Sequence, residues 1–213
     1  MPSGGADGRL TIVSESLRPQ PAHGLAVFLH GWTGDEHSMD VLDAGLAPGW
    51  WRLSPRAPFR AAPGGFSWSS EPEPAGASPQ AFRSASMALR EFVERQVETD
   101  ATPWVAVGFS QGSALAFSAI AAGVIRPSGL AVLSGWMPAE VEPSALAGLP
   151  VFWSHGMRDA LVSLDRARAD VRRLEQAGAQ LTYCEADVGH KVGLPCVRGM
   201  RAWLMHLEKN AGA

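Results

Sequence analysis

Seven apolar runs, each about one β-strand long, recur along this chain of 213 residues. They are "LTIVS" (10–14), "LAVFLH" (25–30), "WRLSP" (51–55), "WVAVGF" (104–109), "LAVLSG" (130–135), "VFWSH" (151–155) and "QLTYCEA" (180–186). Most lack a polar–apolar alternation, which is the pattern of strands covered on both faces. The intervening segments change to helical period. In 79–98, Phe82, Leu89, Phe92 and Val93 share a face, with Ser78 placed to cap and Pro79 suited to the first helical position. In 163–177, Leu164, Ala167, Val171 and Leu174 line one side, and Gly178 offers a stop. In 195–209 the apolar face is Val197, Met200, Trp203, Leu204 and Leu207, while 112–123 is apolar all round. Strands alternating with helices predict a three-layer α/β domain, with a mostly parallel central sheet and helices on both faces.

Length favours one domain over 1–213, with residues 1–9 expected to be flexible. The net charge of −3 gives no sign of nucleic-acid binding. The start, "MPSGGADGRLTIVSES", has no basic region leading into an apolar stretch, so no secretory signal is expected. The longest apolar run, "SALAFSAIAAGVI", is too short to span a bilayer, so no stable membrane association is expected. Cys184 and Cys196 fit no zinc spacing and are too few for a disulfide framework; they read as free buried thiols. These features together predict a cytoplasmic protein. One stretch breaks the rhythm: "FRAAPGGFSWSSEPEPAGASP" (59–79), a long Pro-, Gly- and Ser-rich loop of the kind that is usually functional or disordered.

In open parallel sheets ligands bind beyond the carboxyl ends of the strands. The polar residues found there are therefore the candidates for chemistry. Ser110 in "GFSQG" ends one strand and begins a helix, the setting that a nucleophile elbow requires. In a chain this rich in Gly and Ser, the bare motif is weak without its surroundings. A serine hydroxyl also needs a base. His190, in the loop "DVGHKVG" after the last strand, is the candidate. His155 reads as structural, bonding a neighbouring loop, and His206 as a surface residue. The base needs an acid to hold its tautomer. Asp159 follows a strand and gives the chain order Ser, Asp, His; Asp187, three residues before His190, is the local competitor. Oxyanion donors are expected at the backbone N–H of Gln111 and of Trp32 in "HGWTG". His30, Asp35, His37 and Asp40 could be taken for metal ligands. No second cluster completes such a set, and Asp35 suits a helix cap near 36–46, so no metal is expected.

Several motifs taken in order, "LAVFLHGWTGDEHSMDVL", "RAPFRAAPGGFSW", "GFSQGSALA", "VLSGWMP", "VFWSHGMRDALVS" and "VGHKVG", resemble the phospholipase/carboxylesterase family of α/β-hydrolases. That family includes acyl-protein thioesterases and small bacterial carboxylesterases. The resemblance runs from about Leu25 to Leu207. It implies an α/β-hydrolase fold without a large cap domain, Ser110 as nucleophile, Asp159 as acid, His190 as base, and Trp32 and Gln111 N–H groups as the oxyanion hole. It also implies substrate contacts from Trp68, Phe66 and Leu161. Family members often carry leucine where this chain has Trp32, so the indole is expected to reshape the pocket.

The reading is a serine carboxylesterase for short to medium acyl chains, working through an acyl-enzyme, with no cofactor and a small-molecule ester as substrate. Acyl thioesterase or lysophospholipase-type activity with the same triad is the alternative, and a non-catalytic ligand receptor on the same fold a further one. A monomer or homodimer is expected.

Overall fold

The computed structural model describes residues 9–71, 77–97 and 103–211. Its strands are β1 (Val13–Glu15), β2 (Gly24–Leu29), β3 (Trp50–Pro55), β4 (Phe59–Arg60), β5 (Phe66–Ser67), β6 (Trp104–Phe109), β7 (Gly129–Leu133), β8 (Pro150–Gly156) and β9 (Gln180–Ala186). Its helices are α1 (Arg83–Gln96), α2 (Gln111–Ala121), α3 (Leu164–Gln176) and α4 (Leu194–Ala211). A seven-stranded sheet runs in the order β1-β3-β2-β6-β7-β8-β9. Only β1 is antiparallel to its neighbour, pairing Val13 with Pro55. The other pairs are parallel, as strands joined by crossover helices must be.

The apolar runs lack alternation because both sheet faces are covered. In β6, Ala106 turns to the layer holding Leu89, Phe92 and Phe117, while Val105 and Val107 turn to the layer holding Met200, Trp203 and Leu204. In α3 the spacing Ala167, Val171, Leu174 buries one face against the sheet, and Ser163 Oγ caps the helix by accepting from Arg166 N. Each fully buried Leu- or Val-sized side chain contributes about 1.5–3 kcal/mol, so these helices are held by their buried faces more than by propensity.

Several boundaries differ from the expectation. The first strand covers Val13–Glu15 rather than 10–14; Leu10 leaves the sheet to pack in the core. The helix expected near 36–46 is a 3-10 turn over Asp40–Gly45. Pro79 opens a 3-10 turn over Pro79–Phe82, and the α-helix begins at Arg83. The long loop 59–79 is partly ordered: β4 and β5 form a small hairpin, while 72–76 lie outside the described residues. The expected flexible start falls, apart from Arg9, on residues 1–8, which also lie outside them. Among the described residues no helix is long and apolar enough to cross a membrane.

Five parallel neighbours, β2, β6, β7, β8 and β9, end at the same edge of the sheet. The loops that follow them carry His30–Gly34, Ser110, Trp136, Asp159 and His190. Topology alone thus gathers residues up to 160 positions apart (30 to 190) along one rim.

Candidate active site

Ser110 stands between β6 and α2 with φ 52° and ψ −116°, a backbone conformation that L-residues rarely adopt. Its neighbours hold it there. Ser110 N donates to Leu133 O at 2.9 Å, and Ser113 Oγ donates back to Gly108 O at 2.6 Å. A Cβ on Gly112 would sit 2.1 Å from Leu29 O, so the first turn of α2 approaches the end of β2 as only glycine allows. The positive end of α2 therefore lies directly beneath the serine.

Gln111, the next residue, is fully buried. Its side-chain amide accepts from Trp68 N (3.0 Å) and donates to Ser67 Oγ (3.0 Å). It thereby ties the 66–69 turn to the elbow.

Asp159, not Asp187, is the carboxylate that faces His190. Asp159 Oδ2 accepts from His190 Nδ1 at 2.8 Å, and its Oδ1 accepts from Leu161 N (2.9 Å) and Val162 N (3.0 Å). Its carboxylate is wholly buried. Asp187, the competitor, pairs instead with Arg158 (2.7 Å) and is 75% exposed. Because His190 Nδ1 faces a carboxylate, Nδ1 carries the proton and Nε2 is left as the basic nitrogen. The imidazole also packs on Phe109, with ring centroids 5.0 Å apart.

The loop that carries His190 is fastened to its surroundings. Ser134 Oγ donates to Lys191 O (3.1 Å), and Arg158 N donates to Val188 O (2.9 Å). A Cβ on Gly156 would lie 2.1 Å from Gly189 O, which puts the end of β8 against this loop. The two cysteines overturn the reading of free thiols. Cys184 in β9 and Cys196 in α4 form a disulfide that brackets the loop. Two isolated cysteines carry no sequence sign of pairing; the closeness of the end of β9 to the start of α4 creates it.

The loop after β2 is built around His30. Burial holds its pKa below the ordinary imidazole value. The ring is neutral and bridges the backbone: Nδ1 donates to Gly31 O (2.7 Å), and Nε2 accepts from Ala57 N (3.1 Å). Thr33 N donates to Phe66 O at 3.0 Å, which fixes the loop against β5. Asp35 accepts from His37 N and Ser38 Oγ in a local turn, and Asp40 pairs with Arg52.

A cavity of about 650 Å³ opens here, lined by Gly31, Trp32, Thr33, Phe109, Ser110, Gln111, Trp136, Leu161, Val162 and His190. Ser110, His190, Trp32, Gln111 and Leu161 thus meet at one surface, with Asp159 directly behind His190. Among the described residues no hydrogen bond joins Ser110 to His190. Two expected contacts lie elsewhere. Trp68 is fully buried, donating from Nε1 to His30 O at 2.8 Å, so it braces the loop after β2 from within the core. Phe66 packs beneath Arg56 and Arg60. Trp136 was missed. It follows β7, as Ser110 follows β6, and the rule that ligands sit at strand carboxyl ends points to it as well.

Comparison with known proteins gives the same family. The sequence is 27% identical over 112 residues to a carboxylesterase of Arabidopsis thaliana, SOBER1, covering 50% of this chain and 49% of that one. It is 31% identical over 106 residues to a probable carboxylesterase of Oryza sativa subsp. japonica, covering 46% and 44%. The matches span about half the length of these curated relatives or less. Among solved structures, a carboxylesterase from Mesorhizobium loti superposes with TM-score 0.74 at 22% identity, covering 86% of this chain and 89% of that one. Zea mays acyl-protein thioesterase 2 superposes with TM-score 0.77 at 18% identity, covering 92% and 99%. At such identities these two likenesses speak for the fold alone. The sequence model of the phospholipase/carboxylesterase family matches residues 66–211, a span that leaves the "HGWTG" loop outside it but covers well over half of the chain. The chain belongs to the phospholipase/carboxylesterase family, with the α/β-hydrolase fold.

Proposed function

We propose that this chain is a serine carboxylesterase acting on esters of short to medium acyl chains, working as one domain. The observation that carries the reading is the hydrogen bond from His190 Nδ1 to buried Asp159, with the imidazole lining the same cavity as a serine on a strained elbow. The Asp159 carboxylate fixes the tautomer that leaves Nε2 free to accept a proton. His190 takes the proton from Ser110 Oγ as that oxygen attacks the ester carbonyl, and the backbone N–H groups of Gln111 and Trp32 receive the oxyanion. Loss of one such donor costs about 3–4 kcal/mol. The imidazolium then protonates the leaving alcohol. The acyl-enzyme is hydrolysed when His190 deprotonates a water, and Ser110 is regenerated.

The cavity supports a limit on acyl length. Trp32 and Trp136, with Leu161 and Val162, supply its apolar wall. Trp136 is nearly buried, with Arg166 lying 5.6 Å from its ring, so it is a fixed part of the wall.

The test is covalent labelling with a fluorophosphonate, alongside hydrolysis of esters from two to sixteen acyl carbons. The folded wild type should label stoichiometrically and Ser110→Ala should not, with kcat down on the order of 10⁴–10⁶-fold. A folded wild type that does not label overturns the reading. Preference for the longest chains overturns the assigned acyl length.

A further inference from the structure

His155 is completely buried at the end of β8, and the proposed chemistry gives it no part. Its surroundings fix its tautomer. Nε2 faces two acceptors, the carbonyl of Val162 at 2.9 Å and Asp159 Oδ2 at 3.5 Å. Nδ1 is buried with no hydrogen-bond partner. The proton therefore resides on Nε2, which donates to Val162 O, and Nδ1 keeps a bare lone pair. Leaving a buried polar atom unpaired costs about 1–3 kcal/mol, so a purely packing role is better filled by an apolar side chain.

The bond's location explains what the ring does. Val162 N donates to Asp159 Oδ1, and Val162 O accepts from His155. The turn 159–162 is thus gripped from both sides of one residue, by the acid and by His155. On its second oxygen the acid faces two imidazoles, with His190 bonded at 2.8 Å and the Nε2–H of His155 at 3.5 Å, too long for a hydrogen bond of its own.

We infer that His155 is the positioning residue of the acid: its Nε2–H, through Val162 O, holds Asp159 in the orientation that aligns His190. This rests on the reading of Asp159 and His190 as acid and base.

The experiment compares two polar replacements that place an amide differently. The side-chain nitrogen of His155→Gln falls near the position of Nε2 and reaches Val162 O. That of His155→Asn falls near Nδ1 and does not. With sites counted by fluorophosphonate titration, His155→Gln should keep kcat within about threefold of wild type. His155→Asn should lose about 10- to 100-fold in kcat, with KM moving far less, the size expected for misplacement of a supporting group. Equal losses in both variants, or kcat per site retained in His155→Asn, overturns the inference. Nitrogen-15 NMR of histidine-labelled wild type gives an independent check. The Nε2–H tautomer is expected at His155, and an Nδ1–H tautomer overturns it even if neither variant folds. A wild type that fails to label overturns the esterase reading itself, whereas a labelled wild type with indistinguishable variants overturns only the role of His155.

Discussion

Ser110 and His190 are held in opposite ways. Ser110 sits in a run of contiguous residues, 108–113, packed tightly on one another and on the ends of β2 and β7. His190 lies in the stretch between β9 and α4, which carries no regular structure of its own. Its position comes from elsewhere: Asp159 and Arg158 after β8, Ser134 after β7, Phe109 before the elbow, and a disulfide across the loop's two ends. An elbow made by close steric contact tolerates little. A loop fixed by several separate ties gives up its position in steps as the ties are cut.

Single methyl groups should expose this difference most sharply. In Gly112→Ala the new Cβ meets the carbonyl of Leu29 at 2.1 Å, and backbone in a central strand cannot withdraw. The expected loss is about 3 kcal/mol or more of stability, at the upper end of overpacking. In Gly189→Ala, one residue before His190, the nearest atom to the new Cβ is Arg158 O at 3.8 Å, an ordinary contact. That variant should stay within about 0.5 kcal/mol of wild type. Urea midpoints measure both, and comparable losses in the two would end the contrast.

Cutting the covalent tie comes next in size. His190 lies six residues from each end of the Cys184–Cys196 bridge (190 − 184 and 196 − 190). A double Cys184→Ser, Cys196→Ser variant should lose about 2–4 kcal/mol, since the bridge closes a short loop in the unfolded chain. Amide exchange should rise across 187–193 and stay unchanged across 108–113. Uniform deprotection of both regions would mean that the bridge stabilises the whole fold rather than the loop of His190.

The same contrast explains what could be read from sequence. Glycine spacing, a preceding buried run and a following apolar helix are all local, so Ser110 and its elbow stood out. Asp159 could be placed because strand order carries it to the same rim. The pairing of Cys184 with Cys196 could not, since nothing near either cysteine encodes the approach of β9 to α4. Trp68 misled for a related reason. The likeness of "GGFSW" to the family's acyl-site loop implies a substrate contact there, and only the tertiary fold puts the Trp68 indole N–H on His30 O, inside the core. Trp136 went unnoticed in an apolar stretch where a tryptophan reads as core. It is core, and it also walls the cavity.

The smallest expected effect also separates the two regions, through pH. His30 braces the loop beside the elbow, and burial lowers its pKa from the ordinary 6.5. The folded state therefore binds fewer protons at this site than the unfolded chain does below about pH 6.5, so stability rises with pH there. The contribution is fully present above that pH and is lost as pH falls toward the lowered value. One titrating group gives a slope of at most about 1.4 kcal/mol per pH unit. His30→Gln removes the titration while keeping a polar side chain. Urea midpoints from pH 7.5 to 5.0 should therefore fall more steeply for wild type than for the variant, with the divergence opening only below about pH 6.5. Parallel curves would mean that the neutral ring behind the elbow carries no pH-dependent stability, and that acid sensitivity belongs to another part of the fold.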